Sequence, residues 1–438
     1  MTSCFRLAFA AFAAIVLFAA QPAAAALTRA ELRMAQAIEA ESGRTTATLQ
    51  RWVDQNSGTM NFAGVEAVAR LVRPEFEQLG FKVEWIDMRA AGRAGHLVAR
   101  HTGNRRGKRL LLIAHLDTVF EADSPFQRWT REGDVARGPG ASDDKGGIAI
   151  IVAALRGMQA AGTLREANIT VFLTGDEEDA GNPLAISRRD LIAEGKRADV
   201  AIDFEPLARE NGVEMGSTGR RSSGSWTLTV TGRSAHSAGV GGADAGYGAI
   251  YELARILDAF RRELPEERLT YNVGLVGGGQ VAELDKDRIR LQASGKTNII
   301  AATAIARGDL RAISLDQLER TRTKMRAIVA QSLPGAKAEI QFDDDGYPPM
   351  PPTAGNRALL ARLNAVNRDL GLAEMPELDP AKRGAGDISF VAFIDGLIGM
   401  GPAGGGTHTA GETTLVSSLT KQATRAAILM SRLAKERR

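Results

Sequence analysis

The hydrophobic pattern changes period along this chain, and the changes mark its elements. Residues 45–54 and 64–79 carry apolar side chains three and four positions apart, the spacing of helices with one buried stripe. Gly80 supplies a C′ stop for the second. Residues 81–88 alternate as a strand does, and 97–101 predicts a second strand. Residues 109–114 (RLLLIA), 169–174 (ITVFLT) and 200–204 (VAIDF) are short apolar runs, the pattern of strands covered on both faces. A helix over 148–161 separates the first two. A further strand-like run covers 396–400, and helices are predicted over 356–370 and 418–435. Strands alternating with helices predict an α/β domain with a mainly parallel sheet.

The pattern switches near residue 216. Residues 225–231 (SWTLTVT) alternate cleanly, as a half-buried strand does. A helix over 245–262, strands over 269–276 and 297–305, a helix over 314–332 and a strand over 338–342 follow. This β-α-β-β-α-β order predicts a ferredoxin-like insert with a one-sided sheet. Residues 343–349 (DDDGYPP) read as the return linker. The predicted organisation is one α/β domain in two parts, 27–215 and 346–438, with 216–345 inserted.

At 438 residues the chain has room for both domains. It is 44% hydrophobic and 24% charged, and a formal charge of +3 is too small to imply binding to nucleic acid or membrane. Arg6, the apolar stretch 7–20 and four alanines at 23–26 predict a cleaved signal over 1–26, and hence a periplasmic or secreted protein. An uncleaved anchor is the alternative, although the stretch is shorter than the ~20 residues a membrane span needs. Cys4, the one cysteine, leaves with that segment. The mature chain then has no disulfide, no thiol nucleophile and no cysteine-ligated zinc.

Candidate chemistry gathers after the strands. His115 ends the first apolar run, and Asp117 points to the same side of an extended chain. Open α/β sheets bind ligands there, outside the carboxyl ends of their strands. Asp143 in the loop 138–147 (GPGASDDKGG), Glu177 and Glu178 after 169–174, Glu205 after 200–204, and His408 in GPAGGGTHTAGE occupy comparable places. Imidazoles mixed with carboxylates suit zinc, or less often manganese or cobalt. Two histidines and three carboxylates are enough for two metals sharing one carboxylate. The adjacent Glu177 and Glu178 would repel in a buried turn unless a cation takes one, which frees the other as a general base. An exposed acidic turn is the alternative, since Asp176 and Asp179 flank the pair. The glycine loop lacks Walker spacing and reads as a tight turn presenting Asp143, with Lys145 an alternative partner for its acids. His96 and His101 read as structural or exposed. His236, in the insert, is no obvious ligand.

Together these motifs resemble the co-catalytic zinc exopeptidase and amidohydrolase family of glutamate carboxypeptidase, acetylornithine deacetylase, succinyl-diaminopimelate desuccinylase and aminoacylase. AHLDTV, GPGASDDKGG, TGDEEDAG, the FEP turn and GGTHTAGE occur in family order, and the insert matches in GRSAHSAG, KTNIIAA and GDLRA. The resemblance implies a catalytic domain carrying two zinc ions and an inserted lid and dimerisation domain. Asp143 would bridge the ions, with His115 and Glu205 completing one site and Glu178 and His408 the other. Asp117 would orient His115, and Glu177 would be the general base acting on metal-bound water. His236 would reach the active site of a partner subunit and hold the scissile carbonyl oxygen. Asn298 and Arg311 would bind substrate, Arg311 gripping its carboxylate, and the loop of Gly384 and Gly386 would pack against it. Asp144 and Asp203 are rivals to Asp143 and Glu205, and Asp387 stands where relatives tend to have Thr-Asp. The implied activity is a di-zinc carboxypeptidase of the glutamate carboxypeptidase branch, which the glycine-rich 275–279 also favours. Its substrate is a peptide or N-acyl amino acid with a free carboxylate. An N-acyl-amino-acid amidohydrolase with the same chemistry is the alternative. A non-catalytic zinc-binding relative would have lost ligands or the base, and all are present.

Overall fold

A computed structural model describes residues 27–104 and 106–438. The predicted signal segment, with Cys4, lies outside the described residues. Six strands form the main sheet in the order Lys82–Asp87, Gly95–His101, Asn168–Thr174, Arg109–His115, Val200–Asp203 and Asp395–Leu397. The last four run parallel. Gly95–His101 alone runs against its neighbours. The sheet is therefore mixed but mainly parallel, as its apolar runs predict.

The apolar runs have partners on both sides. Leu110, Leu112 and Ala114 face a large core under the helices Arg29–Ala40, Lys145–Ala160 and Val416–Lys435. Leu111 and Ile113 face a smaller core with Phe172 and Val391. From Arg109–His115 the chain passes through Lys145–Ala160 to pair on one side, then crosses to Val200–Asp203 on the other. The strand order reverses there, which opens a crevice at the carboxyl ends of the strands.

The helix predicted from residue 148 begins at Lys145. Gly146 and Gly147 belong to its first turn because of close approach. A Cβ on Gly147 would lie 2.1 Å from Asp144 Oδ1 and 2.3 Å from the Phe204 carbonyl. Glycine there lets the helix start against the Val200–Asp203 strand.

The insert forms an antiparallel sheet in the order Thr270–Gly279, Thr303–Arg311, Ser225–Gly232, Ala336–Phe342. Helices Gly248–Glu263 and Leu315–Val329 cover one face, burying Trp226, Leu228, Val230 and Leu310 among others. The strand predicted over 297–305 starts at Thr303 and runs to Arg311. Its inward residues Ala304, Ala306 and Gly308 are small, and its outward ones, Arg307, Asp309 and Arg311, are charged, which hides the alternation. Residues 297–302 form a loop tied to the rest of the insert by the His236–Ile299 bridge and by backbone hydrogen bonds such as Ile300 N to Ala235 O at 2.8 Å and Ala302 N to Gly279 O at 2.9 Å. A small hairpin, Val281–Leu284 with Leu291–Ser294, adds to the predicted order.

Two connectors join the insert to the α/β domain and pair with each other. Arg220 N donates to Met350 O at 2.8 Å, and Met350 N donates back at 3.0 Å. Ser223 N donates to Tyr347 O at 3.1 Å. Among the described residues, no helix is long and apolar enough to cross a membrane.

Candidate metal centre

Three adjacent parallel strands converge on one place. Arg109–His115 ends at His115, Asn168–Thr174 leads into the turn of Glu177 and Glu178, and Val200–Asp203 leads to Glu205. Asp143 arrives on the loop before the Lys145–Ala160 helix, and His408 on the loop before the C-terminal helix. Donor atoms of His115, Glu177 and Glu205 all lie within 4.8 Å of one another, as do those of His115, Asp143 and Glu178. Asp143 stands between two imidazoles. Its Oδ1 is 3.1 Å from His115 Nε2 and its Oδ2 is 3.3 Å from His408 Nε2. His408 Nε2 is also 3.1 Å from Glu178 Oε2. One carboxylate offering an oxygen to each of two donor groups is the arrangement of a ligand shared by two cations.

Asp117 does more than orient the histidine. His115 Nδ1 lies 3.1 Å from the Asp117 carbonyl and 3.4 Å from its carboxylate Oδ1, which favours a proton on Nδ1 and leaves Nε2 for a cation. The same carboxylate accepts from Glu177 N at 3.1 Å, Glu178 N at 3.1 Å and Thr59 Oγ1 at 2.7 Å. One buried side chain thus holds the histidine and the glutamate turn in register.

Neither rival acid joins these donor groups. Asp203 Oδ2 takes Arg220 Nη1 at 2.8 Å, and its Oδ1 accepts from Glu205 N at 3.1 Å. Asp144 is fully buried, with neither carboxylate oxygen hydrogen-bonded among the described residues. Lys145 does not pair with the acids of its loop. Its Nζ donates to the carbonyls of Gln55 at 2.9 Å and Pro139 at 3.4 Å, and burial pulls it down to about 7.

The electrostatics of these side chains ask for cations. Burial, and then the Glu205 charge, push Glu177 well above the usual carboxylate range. Burial also raises Glu178, although its hydrogen bond to His408 works against that. Hydrogen bonds to Asp143 and Glu178 push His408 up to about 11. Burial opposes the His115 imidazolium, but bonds to Asp117 and Asp143 outweigh it and raise its pKa well above normal. Protons on the histidines therefore occupy the places where nitrogen–metal bonds would form. Buried nitrogen and oxygen donors with unbalanced negative charge fit a pair of divalent cations of the zinc type.

A cavity of about 410 Å³ opens beside this cluster, lined by Glu177, Glu178, His408, Arg311, Tyr347 and Gly384 among others. Arg311 and Gly384 therefore share the space of the cluster. Gly386 does not line the cavity. It is buried against Arg220, where a Cβ would lie 2.1 Å from Nη1. His236 and Asn298 are exposed on the insert, side by side through the His236–Ile299 bridge and outside the cavity lining of this chain.

Three features at the site escape a reading of motifs. Glu412, four residues after His408, accepts from Ser142 N at 2.8 Å and Asp143 N at 3.0 Å, tying the His408 loop to the Asp143 loop. Arg220 Nη2 holds Glu205 Oε2 at 2.8 Å, while Arg383 Nη2 lies 3.8 Å from the same atom. Arg188 and Tyr347 support the Glu177 turn from below. Glu412 lies inside GPAGGGTHTAGE and Tyr347 inside the linker DDDGYPP, but neither segment announces these contacts.

Because protons hold the histidine sites, metal binding is expected to release them, and affinity should fall with pH between about pH 8 and pH 6. Titration calorimetry with zinc in buffers of different ionisation enthalpy measures this directly. Zero net proton release, or pH-independent affinity, would contradict the assignment.

Comparisons with known proteins agree with this geometry. A family model described as peptidase family M20/M25/M40 matches residues 111–432. Carboxypeptidase G2 of Pseudomonas sp. (strain RS-16) is 28% identical over 343 residues, covering 77% of this chain and 76% of that relative. A succinyl-diaminopimelate desuccinylase of Granulibacter bethesdensis is 28% identical over 337 residues, covering 75% of this chain and 83% of that relative. In solved structures the fold is shared with aminopeptidase PepT from Bacillus cereus, at a TM-score of 0.72 and 17% identity, over 90% of this chain and 99% of that one. It is shared too with the M20 family metallo-carboxypeptidase Sso-CP2 from Sulfolobus solfataricus, at a TM-score of 0.63 and 16% identity, over 89% of this chain and 99% of that one. The chain belongs to peptidase family M20/M25/M40 and is a metal-dependent peptidase or amidohydrolase.

Proposed function

We propose that this protein is a di-zinc carboxypeptidase that hydrolyses the amide bond next to a C-terminal free amino acid, as in the glutamate carboxypeptidase branch. The observation that carries the reading is Arg311 lining the same cavity as Glu177, Glu178 and His408. Asp309 Oδ2 holds the Arg311 Nε at 2.9 Å, and the two Nη atoms have no hydrogen-bond partner among the described residues. A planar guanidinium presented in this way suits a substrate carboxylate by paired bonds. A plain aminopeptidase would need an acidic residue to hold the substrate's amino group, and Arg311 as anchor argues against it.

His115, Asp143 and Glu205 would hold one zinc, and Glu178, Asp143 and His408 the other. Bound zinc lowers the pKa of water and polarises a carbonyl. Glu177 takes the proton from the attacking water as its oxygen bonds to the carbonyl carbon. Glu177 then delivers that proton to the amine nitrogen as the C–N bond breaks, leaving a free acid and a free amino acid. Its pKa, raised by burial and then by the Glu205 charge, suits a group that accepts a proton and returns it. Gly384 lines the wall against which the substrate lies.

A homodimer through the lid completes the reading. His236 and Asn298 sit together and exposed on the insert, where they would serve a second copy, His236 holding the developing oxyanion. The signal-like N-terminus favours a periplasmic or secreted enzyme. A second reading, an N-acyl-amino-acid amidohydrolase, is favoured by the likeness to a succinyl-diaminopimelate desuccinylase. It uses the same chemistry with an acyl group in place of a peptide. Comparing kcat/KM on folyl-glutamate, dipeptides and N-acyl amino acids separates the two.

Glu177→Gln is expected to fold and bind two metals while losing about 10²–10⁴-fold in kcat. Turnover at the wild-type rate would remove Glu177 from the base role. Mixing inactive Glu177→Gln and His236→Ala chains should restore partial activity if His236 serves a second copy's site. No recovery in verified heterodimers would show that each chain works alone.

A further inference from the structure

A guanidinium lies fully buried beneath the turn that carries Glu177. Arg188, 0% exposed, places Nη1 2.7 Å from Asp176 Oδ1 and Nη2 2.9 Å from the Asp176 carbonyl. Its Nε is 2.8 Å from Asp387 Oδ1. Arg188 Nη2 also donates to the Tyr347 hydroxyl, which in turn donates its one proton to the Glu177 carbonyl at 2.9 Å. The Glu177 residue is thus pinned at both ends, its N–H on Asp117 Oδ1 at 3.1 Å and its carbonyl on Tyr347.

The two anchors come from different parts of the molecule. Asp117 follows the strand that ends at His115. Tyr347 stands in the return connector from the lid, where its carbonyl accepts from Ser223 N at 3.1 Å and its N–H donates to Ser223 Oγ at 3.3 Å. Its ring packs edge-on against Phe390, with centroids 4.9 Å apart, and lines the cavity. The turn that carries Glu177 is therefore hydrogen-bonded to the connector returning from the insert.

We propose that Tyr347 is a positioning residue for Glu177. The hydroxyl-to-carbonyl bond fixes the direction in which the Glu177 side chain leaves the backbone, and so sets where its carboxylate meets the attacking water. This rests on the reading of Glu177 as the base. Removing the hydroxyl leaves both the Glu177 carbonyl and Arg188 Nη2 short of a partner, and the turn relaxes. Misplacing a reacting group by about 1 Å costs on the order of 10²-fold in rate.

Tyr347→Phe keeps the ring and deletes only the hydroxyl. It is expected to lower kcat by about 10- to 100-fold with KM and metal content unchanged. In a Glu177→Gln background the same substitution should cost nothing further, because its effect passes through Glu177. Phe390→Leu loosens the same ring packing but leaves the hydroxyl, and should keep kcat within about twofold. Wild-type kcat in Tyr347→Phe overturns the proposal. So does an equal loss in Phe390→Leu, or an undiminished loss on top of Glu177→Gln. Retained turnover in Glu177→Gln alone overturns the base assignment and this proposal with it. Loss there beside an unaffected Tyr347→Phe overturns this proposal alone.

Discussion

Glu177 and Glu205 present oxygens within 4.8 Å of each other and of His115, and Asp143 and Glu178 do the same with that histidine. Like charges at that distance repel by about 3.5 kcal/mol at an effective dielectric constant near 20. Burial adds to the penalty, since water is no longer there to solvate the carboxylates. Protons can meet this constraint in part, since the acids raise the pKa of His115 and His408, and burial raises that of Glu177 and Glu178. Cations meet it better, because they bind all the donors at once and leave Glu177 free to carry a proton.

The surrounding fold exists to hold that charge in place. The reversal of strand order at Arg109–His115 brings three carboxyl ends together. Each ligand then has its own support. Asp117 grips His115 and the N–H groups of the glutamate turn, Arg220 grips Glu205, and Glu412 ties the loop of Asp143 to the loop of His408. Gly386 leaves room for the Arg220 guanidinium, and Gly147 lets the Lys145–Ala160 helix start close behind the metal loop. These supports link segments far apart in the chain, so loss of one disturbs a distant ligand.

Much of this was legible in the sequence because strand ends declare themselves. A buried strand reads as an apolar run, and a histidine or acid at its end has few reasons to be there other than chemistry. His115, Glu177, Glu178 and Glu205 are legible in that way, and the structure brings them together. The β-α-β-β-α-β order of the insert is equally visible, because its strands and helices differ in period. What escaped depends on long-range pairing. Arg188 meets Tyr347 across 159 residues, and Glu412 meets Ser142 across 270, with no local pattern to announce either. The strand at 303–311 is hard to place because alanine and glycine fill most of its buried face, with Leu310 the one large apolar residue there. Gly386 read as part of a substrate loop because packing against an arginine leaves no mark on composition.

The central claim is that the two oxygens of Asp143 serve two cations. Anomalous diffraction from crystals of the zinc-loaded protein, recorded at the zinc absorption edge, tests it directly. The account requires two peaks about 3.5–4 Å apart, one beside His115 and Glu205 and the other beside Glu178 and His408, with Asp143 between them. A single peak, or zinc bound away from Asp143, would contradict it.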